Sequence, residues 1–568
     1  MNYLNAYEVW KTDPFFDADT RAELSRLNIN TDAKEIEDRF YRDLEFGTGG
    51  LRGVMGAGTN RMNRYTVGKA TEGLGNYLLA TYGEEACRTR GVAVGRDTRN
   101  CSDVFAETVA NVLSGKGIRV FYCPDARPTP LLSFGVTHLG CIGGVVLTAS
   151  HNPKEYNGYK AYDAYGCQLA PEEAKQVISY VNDATDYKSI HFTGNPELIT
   201  TADITDAFVD AVMQQSLCSD AKAKENLHVV YTALHGTGLV PVTKALARDG
   251  FTQVTLVPEQ AVMDGNFPTV VSPNPEDRRA LEMGIALAQQ KQADIVLGTD
   301  PDSDRVGVAI RTEDGFQLLT GNQVGALLVD YVLSKKDLSA IENPAVVKTV
   351  VTSELGAEIA RSKGLTVFST LTGFKFIGEK ITQFQQARLQ NDPNRKYTFL
   401  IGYEESYGYL AGTHARDKDA VVSSLLICEM AAEYKAQNKT LLDRMAELYS
   451  QYGYYRDAMD SFTLKGKDGL EQIGNMMVTL RQQGSPFATT AQVIDYAEPV
   501  AAEEGFGYLP TSNVLKYILE DSSWIAVRPS GTEPKIKIYY SICAADQTQA
   551  EDKLLGIQNT IKATLGLK

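Results

Sequence analysis

Short, wholly apolar runs recur along this chain, each separated from the next by a segment of helical length, and that rhythm limits the fold more than any single motif. "GVAVG" (91–95), "RVFYC" (119–123) and "IGGVVLTAS" (142–150) form one set, with "SDVFAETVANVLSGKG" (102–117) among the intervening stretches. Runs that are apolar on both faces suit strands covered by helices on either side, as in a parallel α/β sheet. The rhythm returns in "LHVVYTALHG" (227–236), "QVTLVPEQ" (253–260) and "ADIVLGTD" (293–300), and again in "PAVVKTVVTS" (344–353), "LTVFSTLTG" (365–373) and "YTFLIGYEES" (397–406). Beyond about residue 450 the texture changes to alternating strands around "SSWIAVRPSGTEPKIKIYYSICA", which predicts a smaller α+β body with an antiparallel sheet. The expected division is 1–205, 206–322, 323–450 and 451–568. The opening segment, with Trp10, Phe15, Phe16 and Leu24 as apolar points among charged neighbours, reads as helices up to "IEDRFYRDLEF", before the glycine-rich loop 46–58.

A chain of 568 residues exceeds what one core supports, in keeping with several bodies. Its 71 acidic against 56 basic side chains give a net charge of −15, so general attraction to nucleic acid or anionic lipid is disfavoured, and any phosphate must be held by local positive groups. The eight cysteines form no C-x-x-C pair and no metal-ligand spacing with the six histidines; reduced, mostly buried thiols are expected. The N-terminus lacks the basic-then-apolar order of a signal peptide, and no apolar run approaches the ~18 residues that cross a bilayer. The expectation is a cytoplasmic protein with no membrane or nucleic-acid partner. No coiled-coil repeat is present, and a monomer or weak homo-oligomer is expected.

Four loops carry residues suited to chemistry. In "TASHNPKEYNGYK" (148–160) an apolar strand runs into Ser150 and His151, the place where ligands collect in α/β sheets; a serine that caps a following helix is the competing reading. No G-x-S-x-G elbow surrounds Ser150, which disfavours a hydrolase of that kind. In "GTDPDSDRVGVA" (298–309) Asp300, Asp302 and Asp304 alternate at a strand end, so that three carboxylates can converge on one hard cation; an acidic surface turn is the alternative, while an EF-hand loop would need Gly at its sixth position and Glu at its twelfth. "IGYEESYGYLAGTHARDKDA" (401–420) offers Glu404 and Ser406 to a polyol, against a plain acidic loop. "VRPSGTEPKIKIYY" (527–540) groups Arg528, Ser530, Gly531, Thr532 and Lys537 as a loop able to wrap a phosphate, against a merely basic hairpin.

In content and order, "TASHNP", "DPDSDR", "GYEES" and "RPSGTEP" resemble the motifs of the α-D-phosphohexomutases, the superfamily of phosphoglucomutases and phosphomannomutases, over nearly the whole chain. "FGTGGLRG", the length and the double glutamate of "GYEESYG" look closest to the longer phosphoglucomutase/phosphopentomutase branch. The resemblance implies three similar mixed-sheet α/β domains and a smaller fourth α+β domain around a central cleft, with the last one rotating to close it. It implies a phosphoryl group carried on Ser150 and one Mg²⁺ per site held by Asp300, Asp302, Asp304 and a phosphoserine oxygen. Glu404 and Ser406 hold the sugar, Thr372 and Gly373 line its cavity, and Arg528, Ser530, Gly531 and Thr532 clamp the distal phosphate. Arg52 and Lys160 match basic residues near the transferring group, Arg305 would sit close to them, and Lys418 matches a basic residue near the cleft. Gly408 stands where some phosphomannomutases carry a histidine, which leaves Lys160 or His151 as candidate proton carriers. The activity so implied interconverts glucose 1-phosphate and glucose 6-phosphate, with glucose 1,6-bisphosphate as intermediate and activator. Mannose or pentose phosphates as substrates, and a Mg-dependent phosphatase, are the alternatives.

Overall fold

The computed structural model describes residues 3–47, 49–464, 466–503, 505–530 and 535–567, with no side chains described at 466–468. They form two compact units, Met1–Leu319 with Gly408–Glu433, and Thr320–Tyr407 with Tyr434–Lys568.

The first unit holds two mixed sheets built on one plan. In the first sheet the strands are β1 (Leu51–Val54), β2 (Val92–Arg96), β3 (Val120–Tyr122), β4 (Gly143–Leu147), β5 (Tyr156–Tyr162) and β6 (Ile199–Thr201), ordered β1-β5-β4-β2-β3-β6. β4, β2, β3 and β6 run parallel, and β5 then turns back antiparallel between β4 and β1. The second sheet has β7 (Val229–Thr232), β8 (Val254–Leu256), β9 (Ile295–Thr299), β10 (Val306–Thr312) and β11 (Gly315–Leu318), ordered β11-β10-β9-β7-β8. Here β9, β7 and β8 are parallel and β10 returns antiparallel beside β9. All five residues of β4 and all five of β9 are buried, as expected of strands sandwiched by helices. The "TASHNP" and "DPDSDR" loops therefore occupy equivalent places, where the parallel core reverses into an antiparallel return.

The predicted N-terminal helices are Tyr3–Thr12, Ala18–Ser25 and Ala33–Phe40. An aromatic cluster of Trp10, Phe16, Phe40 and Tyr65 joins them to the first sheet's domain, with Trp10 and Phe16 stacked at 4.3 Å between centroids. Arg39 donates to Ala57 O at 2.9 Å while Glu23 accepts from Ala57 N, so both sides of that residue in the glycine-rich loop after β1 are fixed.

In the second unit, Thr366–Thr370, Pro344–Thr349 and Thr398–Glu404 form a parallel run flanked by helices including Gly321–Lys335, Leu355–Ser362 and Phe374–Gln390. A separate antiparallel sheet is ordered Tyr454–Thr463, Lys535–Ala544, Trp524–Pro529, Leu515–Leu519, Thr490–Asp495. One face packs on the helices Gly466–Gln483 and Gln547–Leu565. Its other face sets Trp524, Ala526 and Tyr539 against Val350, Val351 and Leu371, where Lys516 Nζ donates to Val350 O at 2.7 Å. The α/β and α+β classes read from the rhythm of apolar runs are those observed. Residues 408–433, grouped in the sequence with the third α/β body, pack with the first unit: Glu429 accepts from Leu217 N at 2.8 Å. Among the described residues no helix is long and apolar enough to cross a membrane.

Gly158 of β5 is closely approached by backbone on two sides, since an added Cβ would stand 2.4 Å from Thr148 O and 2.9 Å from Leu51 O. Gly158→Ala is expected to destabilise the protein by about 1–3 kcal/mol through overpacking, read as a lowered denaturation midpoint at unchanged slope.

Candidate active site

Ser150 sits in a turn between β4 and β5, not at the start of a helix, which removes the helix-cap reading. Its φ of 53° is left-handed, a conformation that costs a non-glycine residue and must be held by its surroundings. Thr148 Oγ1 accepts from Ser150 N at 2.9 Å, and Ser150 Oγ donates to Asp300 Oδ2 at 2.8 Å. The loops at the ends of the two sheets thus meet at a hydroxyl–carboxylate contact.

The aspartates converge as the alternation predicted: one carboxylate oxygen from each of Asp300, Asp302 and Asp304 lies within 4.8 Å of the others, and all three residues are buried. Asp300 Oδ1 accepts from the backbone N–H groups of Asp304 and Arg305, both at 3.0 Å, which curls the loop around it. Asp302 Oδ2 accepts from Thr129 Oγ1 at 2.8 Å and Lys160 Nζ at 2.9 Å. Asp304 Oδ2 faces Lys418 Nζ at 3.1 Å and Lys160 Nζ at 3.5 Å. The remaining Oδ1 atoms of Asp302 and Asp304 are buried with no hydrogen-bond partner.

Charge follows from this crowding. Burial, then the carboxylates of Asp302 and Asp304, push Asp300 well above the usual carboxylate range. Burial works against Asp302 too, but Lys160 and the hydrogen bonds around it hold its carboxyl below that range. Lys160 is raised: burial opposes its charge, and Asp302 and Asp304 overcome that, so the side chain is an ammonium. His151 Nδ1 lies 3.2 Å from Ser150 Oγ, and burial, reinforced by Arg305 and Arg52, holds the ring well below the ordinary histidine value and hence neutral. Arg52 Nη1 reaches Asn152 Oδ1 at 3.4 Å, and Arg305 pairs with Glu276. Two buried carboxylate oxygens without a hydrogen bond, that of Asp304 with Arg305 Nε 3.7 Å away, in an all-oxygen, anionic cluster fit a hard divalent cation such as Mg²⁺.

In the second unit Glu404 is buried at a strand end and accepts from Gly373 N at 2.9 Å. Gly373 has φ +121°, open only to glycine, and Thr372 Oγ1 beside it is buried without a hydrogen-bond partner. Ser406 follows in the turn after that strand, next to Glu405, which accepts from Thr352 Oγ1 at 3.1 Å. Arg528 and Lys537 stand opposite each other in the antiparallel ladder, and Ser530 N donates to Lys535 O at 2.7 Å. Gly531 and Thr532 lie outside the described residues. Buried Tyr539 links the two groups: its hydroxyl is pushed up to about 12 by burial first, then by Glu405, with Arg528 acting in the opposite sense and Glu404 adding to the rise.

Four family models match this chain in order: phosphoglucomutase/phosphomannomutase α/β/α domain I over residues 43–188, domain II over 206–315, domain III over 320–452, and the C-terminal domain over 486–552. The chain belongs to the phosphoglucomutase/phosphomannomutase family. Within the family it is similar to a phosphoglucomutase of Staphylococcus haemolyticus (strain JCSC1435), 36% identical over 521 residues that cover 89% of this chain and 91% of the relative. A phosphoglucomutase of Staphylococcus aureus (strain MRSA252) is 35% identical over 538 residues, covering 92% and 94%. The fold matches that of pp63/parafusin from Paramecium with a TM-score of 0.71 over 93% of this chain and 96% of that one, at 17% identity.

Thr129 and Tyr539 escaped the reading of motifs. "RPTP" (127–130) lies a few residues beyond the end of β3, and its place past a strand end was the signal that could have found Thr129. Tyr539 sits in mid-strand, where nothing distinguishes it from a core tyrosine.

Two outcomes are expected. Asp302→Asn removes one of the two charges facing Lys160 and should weaken Mg²⁺ binding at least about tenfold by titration calorimetry. Because its folded value lies well below the ordinary one, His151 should show no NMR titration between about pH 6 and 8, where an unperturbed histidine would.

Proposed function

We propose that this protein is a phosphoglucomutase that interconverts glucose 1-phosphate and glucose 6-phosphate, with Ser150 as phosphoryl carrier and glucose 1,6-bisphosphate as intermediate and activator. The observation that carries this reading is the 2.8 Å contact of Ser150 Oγ with Asp300 inside the aspartate cluster. A phosphoryl group on that oxygen meets a site for a divalent cation on one side and cationic side chains on the other, as phosphoryl transfer requires. The full-length likeness to phosphoglucomutases favours glucose over mannose and pentose phosphates.

Asp300, Asp302 and Asp304 would hold one Mg²⁺, with Ser150 completing the set. Bound there, it supplies Lewis-acid neutralisation of phosphoryl oxygens. Lys160, an ammonium in this arrangement, is suited to stabilising negative charge and to giving a proton; neutral His151, 3.2 Å from Ser150 Oγ, is suited to accepting one. Arg52, Arg305 and Lys418 add positive charge for the group in flight. Glu404 and Ser406, with Thr372 and Gly373, bind sugar hydroxyls. Arg528, Ser530, Gly531 and Thr532 anchor the phosphate that is not reacting, so that the bisphosphate can exchange ends between two transfers. This division of labour goes with four domains, 1–205, 206–322, 323–450 and 451–568, acting on small sugar phosphates in the cytoplasm.

Ser150→Ala should lower glucose 1-phosphate turnover by about four orders of magnitude or more, measured by coupled detection of glucose 6-phosphate, while leaving the circular dichroism spectrum unchanged. Near-full activity of that variant, or inorganic phosphate released without glucose 6-phosphate, would sink the proposal.

A further inference from the structure

Arg99 has no part in the transfer chemistry above, yet its guanidinium is spent on the segment that carries Ser150. Nη1 donates to Pro153 O at 2.9 Å and to Tyr156 O at 3.0 Å; Nη2 donates to Ser150 O at 2.6 Å and to Asn152 O. The one carbonyl missing from the run 150–153, that of His151, is taken by Ser272 Oγ at 2.8 Å. Every main-chain acceptor from Ser150 to Pro153 is therefore tied down from within the protein.

The guanidinium is itself held on two sides. Its side chain is fully buried, with Nε 3.3 Å from Asp97 Oδ2. Asp97 Oδ1 accepts from Arg99 N at 2.9 Å and Ser102 Oγ at 2.8 Å, and Asp97 N donates to Leu147 O at the end of β4. The ring of Phe267, from the second sheet's domain, lies 5.1 Å from the guanidinium carbon. A buried cation would be costly without such pairing, and a planar fork of donors suits four carbonyls in a way that an ammonium does not.

We propose that Arg99 is the positioning residue of the phosphoryl carrier: by capturing these carbonyls it fixes the left-handed backbone at Ser150 and so aims Oγ at the aspartate cluster. The inference rests on the reading of Ser150 as that carrier. A loop held only by its hydroxyl contact with Asp300 could turn once a phosphoryl group replaced the hydroxyl proton. Anchorage on the carbonyl side does not depend on that proton, and it persists through both halves of the cycle.

The test compares the full-length protein with its Arg99→Lys, Asp97→Asn and Ser150→Ala variants, using glucose 1-phosphate and Mg²⁺. Arg99→Lys keeps the charge and loses the fork. It should lower kcat about 100-fold, the effect of misplacing a reacting group by about 1 Å, with KM changed less than about threefold. Phosphorus NMR of its phosphoserine should show a shifted or broadened resonance. Asp97→Asn should give a smaller loss, again in kcat alone. A cooperatively melting Arg99→Lys variant with wild-type kcat, or one whose loss falls in KM, overturns the inference. If that variant does not melt cooperatively, Asp97→Asn decides: a loss confined to kcat supports the role, and wild-type kcat overturns it. Failure of the carrier reading is distinct, since the Ser150→Ala variant would then retain mutase activity whatever the Arg99 variants do.

Discussion

Three carboxylates brought within 4.8 Å of one another in a buried loop are the constraint on which the rest of the first unit depends. At that spacing and an effective dielectric of about 20, each ionised pair repels by roughly 3 kcal/mol. With all three ionised, the sum over three pairs would rival the whole stability of a typical domain, about 5–15 kcal/mol, and this pressure is what pushes Asp300 toward its protonated form. The loop is tolerable only because other groups answer it. Lys160 arrives from the first sheet, Lys418 from the segment 408–433, Thr129 from the start of a helix, and the N–H groups of residues 304 and 305 from the loop itself. Three stretches far apart in the chain are drawn to one place by the need to balance charge. The two carboxylate oxygens left without a hydrogen bond mark where a cation would fit the balance.

The same economy governs placement. In each of the first two sheets the parallel core ends at β4 or β9, and the chain reverses into an antiparallel return. A loop at that point is short, carries backbone polar groups that must find partners, and lies beside the neighbouring strand ends. The serine and the aspartates both stand there, and Glu404 ends the corresponding strand of the third body. Positive φ at Ser150 and Ser303 shows that both reversals use conformations that their surroundings must enforce, and Tyr407, three residues after Glu404, has it too.

Much of this was legible in the sequence. Wholly apolar runs at strand length identify buried strands whatever their partners, because burial on two faces leaves no room for polar side chains; "GGVVL" and "IVLGT" read correctly for that reason. The triplet Asp300, Asp302, Asp304 was legible because carboxylates at alternate positions of one short loop are close in any fold. The competing cap at Ser150 was equally consistent with local chemistry, since Ser, Asn and Pro start both helices and turns; only the observed return strand β5 decides against it. Thr129 and Arg99 went unread because their partners lie up to 173 residues away and their own neighbours carry no periodic signal.

By itself, then, the sequence determined the layer architecture and the chemical type of each loop, since apolar period and local side-chain spacing act within a few residues of the chain. Tertiary structure alone decided which charges answer one another: that Lys160 rather than His151 carries the positive charge beside the aspartates, that Lys418 joins the first unit, and that Arg99 holds the Ser150 loop from behind. Protonation and electrostatic partnership depend on burial and on distances across the fold, and those are set only when separate segments have packed.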